Sequence, residues 1–211
     1  SVVIPAHNEE GGIARILESM LRGAEPGELQ IVVIANGCKD RTAEVARSVS
    51  PDVQVIETDV PSKTNALNLG DAASQHFPRF YVDADVIFTI DAIRAVAEAL
   101  KDGTSLVAAP RIGLDFSQCS WFVKAFYDIW MRMPYLQDSI GGAGVYAVSE
   151  PGRRRFDQFP PITADDLYVR LHFKPTEQRL VKSCQSTVIP PRDLATLIKI
   201  KTRAHFGDQE L

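Results

Sequence analysis

Several absences narrow the possibilities for this sequence. No stretch approaches the ~18 consecutive apolar residues that a membrane-spanning helix needs. Cysteine is scarce: Cys38, Cys119 and Cys184 are the only three, they lie far apart, and none forms a CxxC pair. An odd count of scattered cysteines argues against a disulfide framework and for reduced thiols in a cytoplasmic chain. Positive charge is not in excess, with 23 Lys and Arg against 27 Asp and Glu and a net charge of −4. General nucleic-acid binders are usually basic, so no nucleic-acid partner is expected. Neither an internal repeat nor a low-complexity segment is present, which removes solenoids and linkers from consideration. What remains is 211 residues, 45% hydrophobic and 24% charged, enough for one sizeable core in a single domain.

The first half alternates strand and helix. Residues 2–5, 29–35, 53–57 and 79–82 read as strands without polar alternation, and 9–21, 40–49 and 62–75 as the helices between them. Strands apolar on both faces and separated by helices predict an α/β fold with a mainly parallel central sheet flanked by helices. Further on, 91–100 reads as a helix with Asp91 as N-cap, and 105–109 as a strand. Residues 119–135 are rich in aromatics. Residues 141–149 read as a strand entered through glycines, and 152–161 as a basic loop. A helix runs from Thr163 as cap through 171, strands are expected at 179–181 and 187–189, and a helix at 194–206. Ligands of such sheets bind beyond the carboxyl ends of the strands. Polar residues gather there: His7, Asn8 and Glu9 after the first strand, Asn36, Gly37 and Asp40 after the second, Asp83 and Asp85 after the fourth.

Phe80-Tyr81-Val82-Asp83-Ala84-Asp85 ends a buried strand with two carboxylates one residue apart. Hard divalent ions such as Mg²⁺ and Mn²⁺ take oxygen ligands, often one or two carboxylates plus substrate phosphates. A solvated turn or helix cap is the plain alternative. Asp40 stands where a carboxylate can accept from a nucleobase or a ribose hydroxyl, and equally where it can cap a helix. Lys63, near a helix start, can meet a phosphate or remain solvated. Asp165-Asp166 can supply a general base for a substrate hydroxyl or be helix-start acids favoured by the dipole.

These segments occur in a telling order: Val3-Ile4-Pro5-Ala6-His7-Asn8-Glu9-Glu10, the run 36–42, Lys63 with Ala66-Leu67-Asn68, Asp83-Ala84-Asp85, Gly141-Gly142-Ala143-Gly144 and Asp165-Asp166. Over nearly its whole length the chain resembles the family 2 inverting glycosyltransferases of GT-A fold. The resemblance implies one GT-A-like domain, with residues 1–90 as a nucleotide-binding half and 91–211 as an acceptor and catalytic half. It implies a nucleotide-diphosphate sugar donor, UDP-linked by default, an acceptor hydroxyl on a saccharide, lipid or small molecule, and a Mn²⁺ or Mg²⁺ cofactor. Pro5, His7, Glu9 and Asn36 would border the nucleotide, Asp40 would contact its base, and Lys63 would lie near it. Asp83 would touch the ribose or donor and Asp85 would ligate the metal. Gly142 and Gly144 would allow close approach, and Asp166, with Asp165 second, would be the base. Processive members carry a late Gln-x-x-Arg-Trp. Here Lys199-Ile200-Lys201-Thr202-Arg203-Ala204-His205 stands instead, which argues against a polymer synthase. Arg203 remains for the diphosphate, and His205 for the diphosphate or as a second metal ligand.

An alternative is a haloacid-dehalogenase-like Mg-dependent phosphatase with Asp83 as nucleophile. It is weakened because that nucleophile normally follows the first strand of its core, whereas three strands precede Asp83. Trp121, Phe122, Phe126, Tyr127, Trp130, Met131 and Met133 serve either as core or as a lipid- or acceptor-facing surface. With Arg153, Arg154 and Arg155, otherwise a solvated loop, they leave open a peripheral contact at the inner face of a membrane.

Overall fold

The computed structural model describes residues 1–133 and 140–210. Tyr135, at the end of the expected aromatic stretch, lies outside them. The chain begins β1 (Val2–Ala6), α1 (Ile13–Leu21), β2 (Ile31–Asn36), α2 (Thr42–Val49), β3 (Val53–Thr58), α3 (Lys63–Ala73), β4 (Arg79–Val82) and β5 (Val86–Ile87). It continues α4 (Ile90–Glu98), β6 (Val107–Leu114), α5 (Trp121–Trp130), β7 (Val145–Val148), α6 (Glu150–Arg153) and α7 (Asp165–Leu171). A 3₁₀ turn (Pro175–Glu177), β8 (Gln178–Val188) and α8 (Leu194–Asp208) complete it.

One sheet runs in the order β3-β2-β1-β4-β7-β6-β8-β5. The first four strands are mutually parallel. β7 enters antiparallel between β4 and β6, while β6 and β8 are parallel to each other. β1 and β2 are buried at every residue, as strands covered on both faces must be. Their side chains alternate between two cores. Val2, Ile4 and Ala6 join Ile13, Ile16, Leu17 and Met20 of α1 and Ile93 and Val96 of α4 on one face. Val3, Val32 and Ile34 meet Ala66 and Leu67 of α3 and Val169 of α7 on the other. Each fully buried aliphatic side chain contributes about 1.5–3 kcal/mol by leaving water.

The chain moves outward from β1 to β2 and β3, then returns to the other side of β1 as β4. This reversal leaves a crevice at the β1–β4 tips. Pro5 marks it. Val2 donates its N–H to Gln30 and Ser1 accepts from Phe80, so odd-numbered residues of β1 face β4. β4 pairs with β1 only at Val2 and Val3, so the donor missing at Pro5 leaves no ladder bond unmade.

Several boundaries differ from expectation. Thr89, not Asp91, caps α4, accepting from the Ala92 N–H at 3.4 Å. α7 starts at Asp165 with no side-chain cap, and Thr163 instead bonds Glu210 through its N–H and hydroxyl. The expected strands at 179–181 and 187–189 are one strand, β8. The basic 152–161 loop opens inside the short α6, and its arginines are ion-paired: Arg153 with Asp71, Arg154 with Glu150, Arg155 with Glu177. Arg153 is mostly buried, which corrects its reading as solvated. The three cysteines are unpaired thiols.

Candidate functional site

The tips of β1 and β2 are stitched together by their own polar residues. His7 Nδ1 donates to the Asn36 carbonyl at 2.6 Å, and the Asn8 side-chain amide lies 3.0 Å from its Nε2. Asn36 is buried, its amide donating to the Ala6 carbonyl at 2.9 Å. The Glu9 N–H donates to the Thr42 hydroxyl at 2.7 Å, and that hydroxyl donates to Asp40 Oδ1 at 2.5 Å. The Glu10 N–H reaches Asp40 Oδ2 at 3.1 Å. Some lost hydration works against the Asp40 anion, but these hydrogen bonds outweigh it and hold its carboxyl below the ordinary range. Glu9 goes the other way. Burial, then the charges of Asp85 and Asp40, push its carboxyl up to about 7, against a smaller pull from His7. The acidic tips of the three strands therefore feel one another.

A lysine ties the fourth strand to the second half of the chain. Ser62 caps α3, its hydroxyl accepting from the Asn65 N–H at 3.3 Å, and Lys63 is the first helical residue. Lys63 Nζ lies 2.6 Å from Asp83 Oδ1 and 2.8 Å from Asp165 Oδ1. Loss of hydration disfavours the ammonium, but the Asp165 and Asp83 charges outweigh it and raise the group above the ordinary lysine range. Asp165 is only 3% exposed, and the Tyr146 hydroxyl donates to its Oδ2 at 3.3 Å. Burial pushes the Asp165 carboxyl up, with Lys63 pulling it back. Its neighbour Asp166 is half-buried and, among the described residues, accepts only backbone N–H groups, from Leu167 at 2.8 Å and Gly142 at 3.3 Å.

The glycine loop lets these parts meet. Gly142 and Gly144 have φ of 81° and 61°, the left-handed region where a Cβ is strained. A Cβ on Gly144 would also stand 2.5 Å from Val86 Cγ2 and 3.4 Å from Asp83 Oδ2. The Asp83 N–H donates to the Gly144 carbonyl at 2.8 Å, so the loop fixes the carboxylate's backbone.

A cavity of about 650 Å³ opens over this centre. Of the residues singled out from sequence, Pro5, Lys63, Asp83, Gly142, Gly144, Asp165, Asp166, Arg203 and His205 line it. His7, Glu9 and Asp40 stand on the adjoining rim, and Asn36 holds that rim from beneath. Asp85 is exposed beside the cavity. Crowding by protein and the Asp83 charge raise its carboxyl, against Lys63 and Arg203. Among the described residues no three His, Cys, Asp or Glu side chains converge as a preformed metal cage. Asp85 has no ion-pair partner among them, so its oxygens are available to a hard cation that draws its other ligands from substrate phosphates and water. Sequence reasoning missed Tyr146, which sits in an apolar strand and carried no polar signal. It also missed the cavity residues of β6 and β8. Asp83 ends the fourth strand of the sheet rather than the first, so the phosphatase alternative with Asp83 as nucleophile gains no support.

The strand order, the crevice and the acidic tips agree with the match of a sequence-family model, Glycosyl transferase family 2, over residues 1–146. The chain belongs to glycosyl transferase family 2. This family 2 chain is 27% identical over 189 residues to the 4,4'-diaponeurosporenoate glycosyltransferase of Staphylococcus aureus strain USA300, covering 86% of this chain and 48% of that protein. The protein of strain MRSA252 is 28% identical over the same length. The chain thus spans about half the length of these curated relatives. Among solved structures it is similar to glucosyl-3-phosphoglycerate synthase from Mycobacterium tuberculosis in complex with Mn²⁺, UDP-glucose and phosphoglyceric acid. The TM-score is 0.64 at 19% identity, covering 94% of this chain and 73% of that one. The same enzyme with Mg²⁺ and UDP gives a TM-score of 0.62 at 18% identity, again covering 94% and 73%. The fold is GT-A.

Proposed function

We propose that this domain transfers a sugar from a nucleotide-diphosphate donor, a UDP-sugar by the analogy of its structural neighbours, to an acceptor hydroxyl with inversion at the anomeric carbon. The observation that carries the reading is the Lys63 bridge. It sets Asp83, at the nucleotide-facing tips, and Asp165, at the head of the second half's helix, around one ammonium in one cavity. Residues 1–90 then form the nucleotide half and 91–211 the acceptor and catalytic half.

Asp166 is the base in this reading. Asp165 is buried and spent on Lys63 and Tyr146, whereas Asp166 faces the cavity with, among the described residues, two backbone donors on its oxygens. Asp166 accepts the acceptor's hydroxyl proton as that oxygen attacks from the face opposite the diphosphate. His7, Glu9, Asn36 and Asp40 shape the nucleotide rim, and Pro5, Gly142 and Gly144 keep it clear of side chains. Asp85, with His205 of the cavity lining, would hold Mn²⁺ or Mg²⁺, which would supply charge neutralisation for the leaving diphosphate. Arg203 adds fixed positive charge on the same side.

The test compares Asp166→Asn, Asp165→Asn and Asp85→Ala in a UDP-release assay with donor binding measured separately. Asp166→Asn should lower kcat by about 10²–10⁴-fold with donor affinity retained. Asp85→Ala should lose the response to added Mn²⁺. Full activity in Asp166→Asn would refute the assignment.

A further inference from the structure

We propose that the acceptor used by this domain has a long apolar body, held against a wall built from β6, β8, α5 and α8 beside the Asp165–Asp166 turn. This rests on the transferase reading above and names its acceptor class. Ile112 and Leu114 of β6 and Val188 of β8 line the same cavity as Asp166. Leu114 is the register partner of Val188, so these side chains lie at neighbouring strand ends. Tyr127 and Trp130 of α5 and Ile200 of α8 continue the wall. Leu114 and Trp130 pack on the cluster of Val123, Tyr127 and Leu197, so the surface is contiguous where β6, α5 and α8 meet.

Those six side chains offer only the Tyr127 hydroxyl and the Trp130 indole N–H as polar groups. Lys201 also faces the cavity, but its ammonium is laid over the Trp130 ring, 4.0 Å from its centre and 5.3 Å from that of Tyr127. No carboxylate lies within ion-pair distance of it among the described residues. A saccharide pressed against this wall would leave hydroxyls without partners, at a cost of roughly tenfold in affinity each. An alkyl or isoprenoid chain gains about fourfold per buried methylene. The wall therefore favours an acceptor whose reacting oxygen ends a hydrocarbon body.

The probes are straight-chain alcohols from butanol to dodecanol, each below its self-association limit, with glycerol and glycerate as polar comparators. UDP-glucose and Mn²⁺ are supplied throughout. Two readouts are taken: kcat/KM for the alcohol, and Trp130 emission in a Trp121→Phe background, since the chain has two tryptophans. With the proposal correct, kcat/KM climbs about fourfold per methylene until the chain outgrows the wall, and the longer alcohols shift Trp130 emission. Ile200→Asn, at a partly exposed helix position, and Ile112→Asn should flatten both trends while leaving the KM for UDP-glucose in place. Rates independent of chain length, preference for glycerol or glycerate, or an unmoved Trp130 signal would overturn it. Should neither UDP nor UDP-glucose bind and no UDP-glucose be consumed, the reading of this domain as a UDP-sugar transferase fails by itself. Alcohol binding seen at Trp130 would then still uphold the apolar wall, and its absence would sink it.

Discussion

At the scale of single residues, charge placement governs both the site and its support. Lys63 is one cation between two anions, so removing it leaves Asp83 and the buried Asp165 facing each other. Lys63 is itself open to cavity water, which screens the loss to about 1–3 kcal/mol of stability for Lys63→Met. Urea unfolding of Lys63→Met, Asp165→Asn and the double variant should show non-additivity, because neutralising Asp165 relieves the charge that Lys63 no longer balances. Strict additivity would mean the bridge is absent in solution. Asp71 makes a second prediction. It accepts from Arg79 at 2.5 Å, Tyr81 at 2.6 Å and Arg153 at 3.1 Å, on the far side of α3 from water. Burial works against its charge, but the donors led by Arg153 outweigh that and hold its carboxyl below the ordinary range. A depressed carboxyl contributes stability that is complete above its unfolded value of about 3.9 and is lost as pH falls through the lower folded value. Asp71→Asn should therefore be about 3–5 kcal/mol less stable than the parent at pH 7 and at pH 5. The gap should close in acid, below about pH 4, as the parent's own carboxyl takes up its proton. A gap unchanged at pH 3 would contradict the network.

At the scale of elements, α5 and α8 behave unlike the helices that cover the sheet. α5 buries Val123 and Tyr127 but turns Trp121 and Ile129 outward, each 68% exposed, together with Phe122, whose ring stacks on Trp121 at 4.3 Å. α8 leaves Leu194, Ile198 and Phe206 exposed and carries the exposed Lys199, and α5 carries the exposed Lys124, while Lys201 and Arg203 turn to the cavity. Apolar side chains set among basic ones suit the surface of an anionic bilayer. Flotation with vesicles containing phosphatidylglycerol should recover the chain, and Trp121→Ser with Ile129→Ser should lower recovery several-fold without changing the melting temperature. Equal recovery would assign this face to something other than lipid. The elements also show where sequence is readable. β1, β2 and β4 were legible because strands buried on both faces leave unbroken apolar runs. β8 was not: it lies toward the sheet's far end with most residues at least partly exposed, so residues 182–186 look like loop. The strand expected at 105–109 in fact continues past Pro110 as β6, through a register shift at Pro110 and Arg111. That missed extension carries Ile112 and Leu114 into the cavity. The expected strand at 141–149 starts only at Val145, because Gly142 and Gly144 sit in a conformation no strand adopts.

At the scale of the whole molecule, the site exists only where two unlike halves meet. The parallel half supplies Pro5, Lys63 and Asp83. The half with antiparallel strands supplies Asp165, Asp166 and the glycine loop, and β7, inserted between β4 and β6, is the splice that brings them together. Sequence motifs named the members of each half but could not show that Lys63 joins them, since that contact spans about a hundred residues of chain. A ligand filling the cavity should therefore stabilise the halves as one unit rather than a single loop. With UDP and Mn²⁺ present at about a hundred times their dissociation constant, mass action adds about 2.7 kcal/mol. For a domain near this size that is a rise of roughly 5–10 °C in melting temperature. Chelation with EDTA should remove most of the rise if Asp85 and the diphosphate hold the ion jointly, because neither alone completes its ligand shell. Lys63→Met should shrink the response as well, since the donor would then meet an uncompensated pair of carboxylates at the seam. A full-sized shift with UDP in EDTA would separate nucleotide binding from the metal and leave Asp85 without the role proposed for it.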